Sequence, residues 1–203
     1  DNDGRAERRT VFTDNVQMLT SIEIGHGGVW LMCPPQLLFI PDQNEDGVPD
    51  AAPQVVLDGF TVAESNYHNF ANGLRWGPDG WLYGNHGVFT HSVVGKPGTP
   101  EAQRKKINAG VWRFHPTQKR FEIYAEGGGN TYSLDIDGRG RVFSGTNHGD
   151  TRGMHYEFGS YGVKNWGKHG PLTNPYAYGW FEHMAHAGDK RRFPQAFVIY
   201  EGG

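Results

Sequence analysis

A single cysteine, Cys33, stands among the 203 residues. One thiol excludes an intrachain disulfide, a paired-cysteine zinc site and the attachment of a c-type haem. It follows Met32 at the end of an apolar run and precedes Pro34, so it reads as a buried structural thiol. Long apolar runs are missing too: nothing approaches the ~20 residues that cross a bilayer as a helix. Nor is there an excess of positive charge. The 19 Lys and Arg against 22 Asp and Glu leave a net charge of −3, which excludes a global basic field suited to nucleic acid. The local runs Arg104-Lys105-Lys106 and Lys190-Arg191-Arg192 read as solvated loop charges. Aliphatics are scarce, since the apolar share is only 36% and 12 Phe, 9 Tyr and 6 Trp contribute much of it. Glycine, at 30 residues, and proline, at 12, are plentiful. Many turns and many rings over few aliphatics predict an all-β fold of short strands.

The strands repeat. Ile22-Glu23-Ile24-Gly25-His26-Gly27-Gly28-Val29-Trp30-Leu31 lies without a gap over Leu74-Arg75-Trp76-Gly77-Pro78-Asp79-Gly80-Trp81-Leu82-Tyr83. Leu134-Asp135-Ile136-Asp137-Gly138-Arg139-Gly140-Arg141-Val142-Phe143 fits beneath both. Each copy is an alternating strand, a polar or Gly-rich turn with a shared Gly (Gly28, Gly80, Gly140) and a second strand, which is the signature of a hairpin. Two further strands follow the first copies: 36–40 and 54–60, then 110–114 and 120–127. Four antiparallel strands per unit, repeated at this length, predict β-propeller blades. The expected division is 1–20 for the end of one blade, and 21–60, 72–127 and 132–203 for successive blades or blade parts. About three blades are visible, fewer than the four to eight of a closed propeller.

Asp42-Gln43-Asn44-Glu45-Asp46-Gly47-Val48-Pro49-Asp50 places oxygen side chains at Asp42, Asn44, Asp46 and Asp50 around a Gly that permits a sharp turn. Such a set suits calcium; the alternative is an Asx-rich turn without an ion. Asp1 to Glu7 resembles the second half of the same loop.

The candidate functional residues fall at strand ends. His68 precedes the first strand of the second unit, and Asn-His-Gly follows the second strand of two consecutive units, at Asn85-His86-Gly87 and Asn147-His148-Gly149. Polar groups repeated at equivalent ends are what a ring around a propeller axis presents, and imidazole can take a proton near neutral pH. Arg152 is a candidate anion clamp. His183 and His186, three apart, form a weaker metal candidate. The run Asn174-Pro175-Tyr176-Ala177-Tyr178-Gly179-Trp180 offers rings for sugar stacking or for packing.

Several of these stretches together resemble a known family: Pro34-Pro35-Gln36-Leu37-Leu38-Phe39 with its acidic loop, the run from Asn72 to Gly84, Gly127-Gly128-Gly129-Asn130-Thr131, Gly145-Thr146-Asn147-His148-Gly149, and Asn174 to Gly179. The chain resembles the membrane-bound dehydrogenase family of planctomycete-type bacteria, related to the glucose and sorbosone dehydrogenases that use pyrroloquinoline quinone. The resemblance implies a six-bladed propeller that oxidises a sugar or polyol. His68 would be the base, with hydride passing to the quinone. It implies a cofactor contact from Asn130, with Gly129 where those enzymes carry an Arg; the strand-end residues His86, Asn147 and His148, and Arg152 in place of that Arg, are the other candidate cofactor contacts. It also implies a periplasmic or extracellular setting, the remaining blades, and a c-type cytochrome domain outside these residues as electron acceptor. Two other readings remain open: a non-catalytic carbohydrate-binding or scaffold propeller, and a polysaccharide lyase or hydrolase.

Overall fold

The computed structural model describes residues 9–65, 70–145, 153–164, 176–181, 184 and 198–202. Among them there is no α-helix, and the protein is all-β as its composition predicts, with several sheets, none of them closed. No helix among the described residues is long and apolar enough to cross a membrane.

The first sheet is antiparallel in the order β1 (Ser21–Ile24), β2 (Gly28–Cys33), β3 (Gln36–Pro41) and β4 (Gln54–Asp58). The second unit supplies β5 (Asn72–Trp76), β6 (Leu82–His86), β9 (Gly110–His115) and β10 (Arg120–Gly128), again antiparallel. Between β6 and β9 the chain leaves this sheet and forms a separate ribbon of β7 (Ser92–Val94) and β8 (Lys105–Ile107). The third unit contributes β11 (Asp135–Ile136), β12 (Val142–Ser144) and β13 (Met154–Tyr156) as a sheet of three. The next two strands, β14 (Ser160–Lys164) and β15 (Tyr178–Phe181), do not complete that sheet. They run parallel on the free edge of β10, so the second sheet has six strands.

The three repeated hairpins are present, and two share one turn. In the second and third, the N–H of Gly77 or Asp137 donates to the carbonyl four residues on, and Gly80 or Gly140 donates back to Gly77 or Asp137. Gly80 and Gly140 sit at φ 77° and 80°, where a side chain is disfavoured. The first hairpin differs from the sequence alignment. Gly28 lies inside β2, and the left-handed turn residues are His26 and Gly27. What Gly28 provides is space, because a Cβ there would meet the Ile40 carbonyl oxygen at 2.2 Å.

Alternation along each strand sends one set of side chains to each face. Trp30, Met32, Leu37 and Leu57 of the first sheet meet Leu74, Leu82, Trp112 and Phe114 of the second, around the buried Phe60. The opposite face of the second sheet presents Tyr83, Val111, Tyr124 and Ala125 to Leu134, Val142, Met154 and Tyr156 of the third unit. The outer face of the first sheet buries Val29, Leu31, Ile40 and Cys33, and burial pushes the Cys33 thiol pKa up.

The leading strands of the three hairpins are also joined by charge. Glu23, Arg75 and Asp135 occupy the same position of the sequence repeat. Arg75 Nη1 lies 3.8 Å from Glu23 Oε1, and Nη2 lies 3.1 Å from Asp135 Oδ1. Burial raises the Glu23 pKa against the pull of Arg75. One of the expected solvated charges is corrected: Arg104 is half-buried, ion-paired with Asp58, and donates from Nε to the Thr99 carbonyl at 2.9 Å. It anchors the β7–β8 ribbon, where Lys105 and Lys106 are exposed as expected. Lys190 to Arg192 lie outside the described residues.

Candidate functional site

In the second sheet the start of β5, the end of β6, the start of β9 and the ends of β10 and β14 all lie at one end of the strands. Polar side chains collect there. Asn72 and Asn85 are a directly opposed pair on β5 and β6, so their side chains share a face. Asn72 Nδ2 donates to the carbonyls of Phe70 and Thr131, each at 2.9 Å. Asn85 Nδ2 donates to the Ser133 carbonyl at 2.6 Å. The two carboxamides thereby hold the segment that leads from β10 into the third unit. Both Oδ1 atoms are buried without a donor among the described residues. Asn130 and Thr131, on the held segment, are buried as well.

On the other face of β6, His86 is almost fully buried. Its Nδ1 donates to the Gly87 carbonyl at 2.8 Å, which leaves Nε2 to accept from Ser92 Oγ at 2.7 Å. Ser92 Oγ in turn accepts from the Thr61 N–H at 2.8 Å. Burial lowers the His86 pKa to about 4; the Gly87 carbonyl works against the shift, and the positive fields of His91 and Lys164 add to it. His86 is therefore a neutral structural imidazole with both ring nitrogens engaged, and it offers none to a ligand. Nearby, Lys164 Nζ on β14 lies 3.1 Å from Glu126 Oε2 on β10 and 3.4 Å from Asn108 Oδ1. Both charged groups are buried, and the pair clips the parallel strand onto the sheet.

Of the residues nominated from sequence, Asn130 and His86 thus lie at this end. His68, Asn147, His148 and Arg152 lie outside the described residues, as do His183 and His186. Tyr176 and Tyr178 are exposed, 87% and 59% accessible; Asn174 and Pro175 are outside the described part.

The acidic loop is closed by its own hydrogen bonds. Asp42 accepts from the N–H groups of Asp46 and Gly47, both at 3.2 Å, and Asp46 accepts from Val48 N–H at 2.8 Å. Asn44 Nδ2 donates to Asp46 Oδ2 at 3.0 Å, and Asp50 Oδ2 accepts from Gln43 N–H at 2.6 Å. These are Asx-turn hydrogen bonds. Among the described residues no group of three or more His, Cys, Asp or Glu side chains is placed to hold a metal ion.

The sequence reading named Asn85 only within the Asn85-His86-Gly87 motif and did not single out Asn72 or the pair Glu126–Lys164. The signal was present: Asn is depleted inside strands, so two of them opposed at a hairpin mark a polar requirement.

The run of motifs from the N-terminal loop to the His-rich segment has a counterpart among known families. A family described as a domain of unknown function, DUF7133, matches residues 1–187. The chain belongs to that family. No curated protein matches it. Among solved structures, the crystal structure of a proposed oxidoreductase (glucose dehydrogenase) from Thermus thermophilus is similar with a TM-score of 0.37 and 12% identity. The similarity covers 93% of this chain and 75% of that one. A likeness of that degree fixes neither fold nor activity.

Proposed function

We propose that this DUF7133 chain is part of a six-bladed-type propeller oxidoreductase that oxidises a hydroxyl of a sugar or polyol, with His68 as the base. The observation that supports this best is the double hydrogen bond of Asn72. One carboxamide ties the Phe70 carbonyl, two residues after His68, to the Thr131 carbonyl, one residue after Asn130. The two segments carrying the proposed base and the proposed cofactor contact are thus bound to one side chain. In this reading a neutral His68 imidazole takes the substrate hydroxyl proton, and a pyrroloquinoline-type quinone supplies the hydride acceptor.

The described residues at this end do not by themselves fit such a tricarboxylate. Lys164 is engaged by Glu126, His86 is neutral, and the stranded Asn72 and Asn85 oxygens are acceptors that repel carboxylates. A quinone therefore requires Arg152, with Asn130, Asn147 and His148, or a cation such as calcium. Calcium at Asp42, Asn44, Asp46 and Asp50 belongs to the same proposal, as do the remaining blades, a cytochrome-type acceptor domain and a periplasmic or extracellular setting.

The test is an absorbance titration of the protein with pyrroloquinoline quinone and calcium, followed by dye reduction with an aldose. Wild-type protein and His68→Ala should both bind saturably, and only the wild type should reduce dye. Absence of saturable binding would sink the dehydrogenase reading. It would favour a carbohydrate-binding or scaffold propeller, which the engaged Lys164 and Gly129 in the Arg position already support. Shortening of an oligosaccharide without dye reduction would instead indicate a lyase or hydrolase.

A further inference from the structure

The opposite end of the strands, where the hairpins turn, holds a cleft of about 430 Å³ between the second and third units. Pro78 and Asp79 of one turn face Arg139 and Gly140 of the next across it. Tyr83 and Tyr124 line it as well, packed edge to face at 5.2 Å. Phe158 adds a ring 5.5 Å from Tyr124 that is 47% accessible.

The charges around this cleft are unequally satisfied. The Arg113 guanidinium lies 4.2 Å from the centre of the Trp81 ring and 4.4 Å from that of Phe158. It is paired with Glu122 Oε1 at 2.8 Å. Asp79 Oδ2 accepts from the Tyr83 hydroxyl at 2.8 Å and lies 3.4 Å from Arg113. Burial and the adjacent Asp79 push the Tyr83 pKa up, so the phenol stays protonated and donates. Arg139 is different: it is exposed, and its guanidinium has no ion-pair or hydrogen-bond partner among the described residues. The Tyr124 hydroxyl has none either.

We propose that this cleft binds a carboxylate-bearing sugar ring of the uronic-acid type, separate from the end where His68 is proposed to act. The exposed Phe158 ring suits the C–H face of a pyranose. Arg139 is the uncompensated cation of the lining and matches a carboxylate. Asp79, already bonded by Tyr83, Arg113 and the Trp81 N–H, sits at the mouth with its side chain 41% accessible, where a remaining lone pair can accept from a sugar hydroxyl, which an aromatic acid does not supply. The volume falls within the range of small-molecule sites.

Isothermal titration of the whole chain with digalacturonate and with neutral digalactose tests this. Digalacturonate should bind saturably and more tightly than digalactose. Arg139→Ala should weaken digalacturonate about tenfold or more, the scale of one charge-assisted hydrogen bond, and leave digalactose unchanged. Arg139→Lys should retain part of the preference, and Phe158→Ala should weaken both sugars. Arg139 is exposed, so an unchanged melting temperature confirms that its variants stay folded. No saturable digalacturonate binding, equal affinity for the two sugars, or no effect of Arg139→Ala would each overturn the assignment. None of these readings depends on a quinone.

Discussion

The two interfaces that hold the units together differ in how rings and polar groups share their centres. Between the first and second sheets the contact is centred on rings: Trp30 packs on Trp76 and Phe114, and Phe60 packs on Trp112 and Phe121, with hydrogen bonds from Thr20 to Ala71, Leu74 to Ser21 and Trp76 to Ile24 at its margin. Between the second and third units three tyrosines replace such rings, and their hydroxyls need partners. Tyr156 lies 3.0 Å from Ser144 Oγ and 3.3 Å from the Gly127 carbonyl, and Tyr83 bonds Asp79. The Asn72 and Asn85 clamps and the Arg75–Asp135 pair lie in the same gap. Ring packing is strong per residue and sensitive to volume, whereas polar contacts fix direction and leave room for a ligand. Both proposed ligand sites adjoin the polar interface.

The largest expected effect comes from emptying the first interface. Trp112 is fully buried, and Trp112→Ala should cost about 3–5 kcal/mol. Urea denaturation measures it, and a loss below about 1 kcal/mol would show that the first interface is not the dominant one.

A pH effect of intermediate size comes from His86, beside that same interface. Its folded pKa of about 4 lies below the ordinary histidine value of 6.5, so the fold favours the neutral ring. Between those values the unfolded chain binds more protons. Stability is then complete above about pH 6.5 and falls as pH drops toward 4, by about 3 kcal/mol in total. His86→Gln should be less stable at neutral pH and lose most of this dependence. An unchanged acid profile in denaturation curves between pH 7 and 4 would remove His86 from the account.

The smallest effect belongs to the polar side. Tyr156→Phe keeps the ring and removes a hydroxyl whose own pKa burial pushes up to about 12. The loss should be about 1–2 kcal/mol, from the hydrogen bonds with Ser144 and the Gly127 carbonyl. A loss as large as that of Trp112→Ala would reverse the comparison between the two interfaces.

Much of the fold was legible because hairpins are local. Alternation and turn residues marked β1–β2, β5–β6 and β11–β12, and the repeat even aligned Glu23, Arg75 and Asp135, which the structure joins by charge. The errors arose where distant segments decide. Gly28 looked like a turn glycine because the first hairpin has Gly27 beside it, and the need for a bare position comes from Ile40 across the sheet. Arg104 looked solvated because its partner Asp58 is far away in sequence. The strands β14 and β15 pair parallel to β10, and no local periodicity announces a parallel partner. At the candidate site, Asn130 and His86 were found by motif. The engagement of both His86 nitrogens and the clamping role of Asn72 depend on contacts with Ser92 and Thr131, which spacing does not reveal.

The parallel addition of β14 and β15 also has a kinetic consequence. The second sheet runs from Asn72 to Phe181, and its edge strand β10 is covered only by chain that comes after the third hairpin. During synthesis the first sheet can close as soon as it emerges, because its four strands are consecutive. The second exposes an unpaired edge at β10 until β11, β12 and β13 have been made and β14 follows, and such edges recruit foreign strands. Non-local pairing of this kind slows folding. The burial of Lys164 against Glu126 is then a late event, the step that seals the edge and commits the newly made chain to its native order.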